Sequence, residues 1–128
     1  MNLLLDTHTF IWWASNPENL SKKALSECEN PENSLILSVV SAWEMQIKSR
    51  MGKLSLDMPF KELIESQQKE NDLKILPIEL KHIFELNNLP NIHNDPFDRL
   101  LIAQSNLEGI TLVSKDNKFS SYPVSVLW

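Results

Sequence analysis

The sequence predicts an α/β fold in which a mainly parallel sheet is covered by helices on both faces. Short leucine-rich or β-branched runs recur along the chain, separated by segments of helical period, the pattern of a parallel sheet with crossover helices. Those runs carry few interior polar residues, as strands buried on both faces do. The only two glycines, Gly52 and Gly109, fall where helices should end.

Leu3 to Asp6 reads as a first buried strand. Thr7 is placed to cap a helix through Phe10 to Ala14, which Asn16-Pro17 breaks. Ser21 caps a short amphipathic helix carrying Leu25 and Cys28, ended by Asn30-Pro31. Ser34 to Val39 is a second buried strand. Ser41 follows as an N-cap with Glu44 three residues on, a capping-box spacing, and the helix runs through Met45, Ile47 and Met51 to Gly52.

Pro59 opens a helix over 60–70 with Phe60, Leu63, Ile64 and Gln67 on one face. Leu73 to Ile78, interrupted by Pro77, suits an edge strand. The segment 79–87 is helical, with Ile83, Phe84 and Leu86 apolar. A loop over 90–94 leads to Pro96 at a helix's first turn, where its missing N–H costs nothing. That helix carries Phe97, Leu100, Leu101 and Ala103. Ile110 to Val113 is a β-branched strand, Ser114 to Asn117 a polar turn, and Val124 to Leu127 a last short strand. Trp12, Trp13 and Trp43 are expected in the core, while Trp128 either packs on the domain or serves an interface.

A chain of 128 residues is long enough for one domain with a real core. Cys28 is the only cysteine, which excludes a disulfide framework and a cysteine-based zinc cluster. No apolar run approaches a membrane span, and the N-terminus lacks the basic region of a signal peptide, so a cytoplasmic protein is expected. A net charge of −5 argues against a general nucleic-acid coat protein but not against a nuclease, since clustered acids would contribute part of it.

Four acids stand out. Asp6 follows Leu3-Leu4-Leu5, Glu44 follows the second strand, Asp98 opens Leu100-Leu101-Ile102-Ala103, and Asp116 follows Thr111-Leu112-Val113. Ligand sites of open α/β sheets lie outside the carboxyl ends of the strands. Carboxylates gathered there repel: at ~4 Å and an effective dielectric of ~20, each pair costs about 4 kcal/mol. A hard divalent cation, Mg²⁺ or Mn²⁺, removes that cost. Three of these acids also have a local explanation: helix capping for Asp6 and Glu44, and a surface turn for Asp116. Asp95, before Pro96, makes a good N-cap. Asp98 lies three residues further on the same face, so capping does not explain both. Arg99 suits either an acid or a phosphate. Lys48, Arg50 and Lys53 follow Glu44, and Lys22, Lys23, Lys115 and Lys118 are further cations for a phosphate backbone.

There is no Gly-rich phosphate loop, and His8, His82 and His93 have no nucleophile to serve. An oxygen-only donor set suits Mg²⁺. Such a cation activates water against a phosphodiester and stabilises charge on the phosphoryl and leaving oxygens.

With these residues in view, the chain resembles a PIN-domain ribonuclease, a VapC-like toxin of a type II toxin–antitoxin pair. The resemblance rests on Leu4-Leu5-Asp6-Thr7-His8, on Ser38-Val39-Val40-Ser41-Ala42-Trp43-Glu44, on His93-Asn94-Asp95-Pro96-Phe97-Asp98-Arg99-Leu100-Leu101-Ile102-Ala103-Gln104, and on Leu112-Val113-Ser114-Lys115-Asp116. It covers essentially the whole chain and implies a single PIN domain over residues 1–128. The implied fold is a three-layer α/β/α sandwich around a mainly parallel twisted sheet of four or five strands. The resemblance makes Asp6, Glu44, Asp98 and Asp116 the metal-binding, catalytic quartet, with Thr7 and Asp95 supporting. It further implies an RNA substrate, Mg²⁺ with Mn²⁺ as a substitute, a small cognate antitoxin and a homodimer. Two rivals remain open: a small-molecule phosphohydrolase with Asp6 as nucleophile, in which a second Asp would be wanted where His8 stands, and a non-catalytic α/β binding module with an acidic ion site.

Overall fold

In the computed structural model, which describes residues 1–128, strand β1 (Asn2–Leu5) is the central strand of the sheet. Its three leucines are wholly buried, Leu3 and Leu5 in one core and Leu4 in the other. Successive side chains of a strand point to opposite faces, so an unbroken leucine run is what two covered faces require. Each such side chain contributes about 1.5–3 kcal/mol on burial, which anchors β1 firmly at the centre of the sheet.

The chain continues through α1 (Thr7–Ser15), α2 (Lys22–Glu29), β2 (Ser34–Ser38), α3 (Val39–Arg50) and α4 (Phe60–Asn71). Then come β3 (Lys74–Leu76), α5 (Leu80–Glu85), α6 (Pro96–Glu108), β4 (Thr111–Val113) and β5 (Val126–Leu127). The five strands are all parallel, in the order β3-β2-β1-β4-β5. The predicted sandwich is therefore present, with β3 at an edge as its proline suggested. On one face Phe10, Ala24, Cys28, Met45 and Leu63 pack on Leu3, Leu5, Leu35 and Leu37. On the other, Leu100, Leu101, Ile102, Phe119 and Tyr122 pack on Leu4 and Leu112. Burial pushes the Cys28 thiol up to about 12, so it is a core residue without thiolate reactivity. No helix is long and apolar enough to cross a membrane.

Winding runs from β1 to β2 and β3 on one side and to β4 and β5 on the other, so it reverses between β1 and β4. The register pairs Leu5 with both Leu37 and Val113. Asp6, Ser38 and Ser114 consequently leave the sheet side by side, at the crevice where an open α/β sheet holds its ligand.

Local expectations fail where tertiary contacts decide. Helix α3 starts at Val39, capped by Ser38 Oγ on Val40 N–H at 3.0 Å, not after Ser41. Glu44 is thus well inside the helix and closes no capping box. Helix α1 is capped by Asp6 rather than Thr7. Helix α5 turns Ile83 and Phe84 outward, 41% and 61% exposed, and buries His82 instead. His82 Nδ1 accepts the Glu79 N–H at 2.9 Å and its Nε2 lies 3.2 Å from Glu108, anchoring a helix too short to hold its own place. Trp43 is 55% exposed, edge-on to Phe97 at 5.3 Å, and not in the core. Trp12 and Trp13 are half-buried, and Trp128 packs against Trp12.

A buried polar bridge ties α6 to the start of α3. Gln104, without exposed surface, accepts from Ser38 Oγ at 2.5 Å and donates to the Pro77 carbonyl at 3.2 Å. Replacing Gln104 by Ala leaves both partners unsatisfied over a void. Urea unfolding should then show a loss of about 2–4 kcal/mol. A loss below about 1 kcal/mol would mean that the bridge does not fix the two helices.

Candidate active site

Asp6 occupies the end of β1 and does two things at once. Its Oδ1 accepts the Thr9 N–H at 2.8 Å, capping α1, while Oδ2 accepts Ser114 Oγ–H at 2.5 Å, just beyond β4. Capping and placement in the crevice are therefore the same geometry, because a carboxylate has about four lone-pair sites and the cap takes one. Glu44, 5% exposed, is held similarly: Oε1 accepts Thr7 Oγ1–H at 2.6 Å and Oε2 pairs with Lys48 one turn on. Charge-assisted bonds of this kind fix a carboxylate's orientation as well as its charge.

Asp95 caps α6 through the N–H groups of Phe97 and Asp98, at 2.9 and 3.2 Å. Asp98 follows in the first turn. Asp116 caps a 3₁₀ turn over Asn117–Ser121 by accepting from Lys118 N–H at 2.9 Å. Despite these local duties, Asp6, Glu44, Asp95, Asp98 and Asp116 all line one cavity of about 320 Å³, together with Thr7, His8, Thr9, Trp12, Lys48, Lys115 and Lys118. All of the quartet and both supporting residues expected from the sequence come together there.

The electrostatics record the crowding. Burial, followed by the charges of Asp95, Glu44, Asp116 and Asp6, pushes the Asp98 carboxyl up to about 7. Burial also raises Asp6, against the hydrogen bonds from Ser114 and Thr9. Burial works against the Lys48 ammonium, yet its bond to Glu44 and the charges of Glu44, Asp95 and Asp98 hold its pKa above the ordinary range. Five carboxylates thus face three lysines along the cavity, only Lys48 paired with one of them, and the pocket remains short of positive charge.

Other expected participants lie elsewhere. Arg99 meets neither an acid nor the cavity: it donates to the carbonyls of Pro90 and Leu86 at 2.8 and 3.1 Å. Among the remaining cations, Lys115 and Lys118 line the cavity, whereas Lys22, Lys23, Arg50 and Lys53 do not. Ser114 and Trp12 were not anticipated. The pairing of Leu5 with Val113 would have located Ser114, but nothing in the sequence marks Trp12 as the cavity's apolar wall. In a second acid–imidazole group, Glu79, His82 and Glu108, the acids already have protein partners: Lys81 Nζ sits 2.8 Å from Glu108 and, with His82, holds that carboxyl below its usual range. It braces α5 against α6.

Comparison with known proteins agrees with this architecture. The PIN domain family model matches residues 3–124. Ribonuclease VapC22 of Mycobacterium tuberculosis is 28% identical over 129 residues, covering 97% of each chain. Among solved structures, the chain is similar to VapBC2 from Rickettsia felis bound to a DNA fragment from its promoter, with a TM-score of 0.72 and 17% identity over 99% of this chain and 98% of that one. DNA-bound VapBC from Salmonella typhimurium gives 0.70 and 16% identity over 99% and 97%, and FitAcB from Neisseria gonorrhoeae 0.65 and 17% over 98% and 96%. By its near-complete family match, and by a five-stranded parallel sheet whose carboxyl edge gathers the acids, this chain belongs to the PIN-domain family.

Proposed function

We propose that the chain is a Mg²⁺-dependent endoribonuclease acting as the toxin of a type II toxin–antitoxin pair, with Asp6, Glu44, Asp98 and Asp116 as its metal-binding and catalytic residues. The observation that carries this reading is the meeting of five carboxylates in one cavity lined by only three lysines, of which Lys48 alone is paired with one of them. The donor set fits a hard cation: carboxylate oxygens and the Thr7 hydroxyl, with no thiolate. When bound, Mg²⁺ or Mn²⁺ supplies Lewis acidity and an activated water to the phosphodiester. The protein's own contribution is preorganisation. Thr9 and Ser114 hold Asp6, Thr7 and Lys48 hold Glu44, and Lys115 and Lys118 at the rim meet the RNA backbone. Asp6 suits a ligand better than a nucleophile, since both of its oxygens already accept hydrogen bonds.

The relative named a ribonuclease and the neighbours solved as VapBC toxin–antitoxin assemblies support an RNA substrate and a cognate antitoxin for this chain as well. Purified protein should cut single-stranded RNA with Mg²⁺ or Mn²⁺ and stop in excess EDTA. Expression alone should arrest growth, and co-expression of the small neighbouring reading frame should relieve it. EDTA-resistant cleavage would remove the cation from the mechanism, and no cleavage of any RNA in Mg²⁺ would favour a binding module.

A further inference from the structure

The Asp98 carboxylate differs from those of Asp6 and Glu44. Each of theirs is held by two donors, whereas no protein donor lies within hydrogen-bond distance of Asp98. The nearest is His93 Nε2, 3.7 Å from Asp98 Oδ2. That nitrogen is buried and without a partner. Its protonation follows from the other side of the ring. The Tyr122 hydroxyl oxygen accepts from His93 N–H at 3.3 Å and from Arg99 Nη1 at 3.4 Å, which uses both lone pairs. Its own O–H must then be donated, and His93 Nδ1 lies 3.0 Å away. With Nδ1 accepting, the neutral ring carries its proton on Nε2, aimed at Asp98.

We propose that His93, its tautomer set by Tyr122, is the positioning residue of Asp98: Nε2–H closes onto Oδ2 and fixes the carboxylate for a divalent cation. A buried N–H left unpaired is costly, and a movement of under about 1 Å brings the pair into bonding range. The inference rests on Asp98 being a cation ligand. Ligating carboxylates are themselves commonly hydrogen-bonded by a second layer of residues. It also gives Arg99 a purpose: it holds Tyr122, which holds His93.

Long-range ¹H–¹⁵N spectra of the full chain should show His93 as the Nε2–H tautomer, and Tyr122→Phe should convert it to a mixture. Calorimetry with Mn²⁺ should show binding weakened about 10–100-fold in His93→Ala. Tyr122→Phe should weaken it several-fold. His93→Gln, which keeps an N–H near the Nε2 position, should stay within a few-fold of wild type. A merely structural role would lower the melting temperature without this pattern. An Nδ1–H tautomer in the wild type, or unchanged Mn²⁺ affinity in His93→Ala, would overturn the proposal while leaving the cation site standing. Failure of the wild type itself to bind Mn²⁺ would overturn both. Should His93→Ala not fold, the wild-type tautomer and the Gln and Phe variants still decide.

Discussion

Asp98→Asn is expected to lower RNA cleavage by at least about a thousandfold, roughly 4 kcal/mol of transition-state stabilisation, while making the cation-free protein more stable. The two effects have one cause. Asp98 is an acid the fold tolerates poorly, pushed up to about 7 by burial and by the charges of Asp95, Glu44, Asp116 and Asp6. An amide keeps the size and removes the charge. At neutral pH this should add about 1–3 kcal/mol, because part of the shift is shared among the neighbouring acids. The melting temperature should rise by roughly 3–12 °C. Asp6→Asn should cost as much activity but gain less stability, since it weakens the charge-assisted bond from Ser114. Cleavage retained in both variants would remove these acids from the mechanism. A marked fall in the melting temperature of Asp98→Asn would show that this carboxylate serves the fold and not the site.

Much of this site was legible because strand ends and helix starts are local features. Asp6, Asp95 and Asp116 each sit at such a boundary, where the sequence offers capping for the first two and a surface turn for the third beside a place in the site; in the structure each caps a helix or turn and also lines the cavity. Glu44 was harder. Ser41 offered a local capping partner, and only the buried bond from Ser38 to Gln104, 66 residues away, shows why the helix starts earlier. Arg99 misled for the same reason: a guanidinium beside several acids invites an ion pair, yet two orphan carbonyls from the preceding loop claim it. The outward turn of Ile83 and Phe84 follows from a long-range contact too, between His82 and Glu108. What a sequence conceals here is long-range hydrogen bonding, and the link between His93 and Tyr122 is the sharpest case.

Without divalent cation, the protein should lose stability as pH rises from about 4 to about 7, the reverse of an ordinary acid-labile domain. The Asp98 carboxyl ionises near 3.8 when unfolded but is pushed up to about 7 when folded. In that window the native state binds more protons than the unfolded one, so raising the pH favours unfolding; below about 4 the contribution is fully present, and above about 7 it is lost. Cation should invert the trend, because a carboxylate must shed its proton to bind. With cation about a hundredfold above Kd at pH 8, binding stabilises by about 2.7 kcal/mol. At pH 5, two units below the folded pKa, affinity falls about a hundredfold and the gain shrinks to about 0.4 kcal/mol. Melting curves from pH 4 to 8, with and without Mn²⁺, should therefore fan apart as pH rises, and Asp98→Asn should abolish the fan. Parallel curves would place the repulsion, and the cation that relieves it, somewhere other than this pocket.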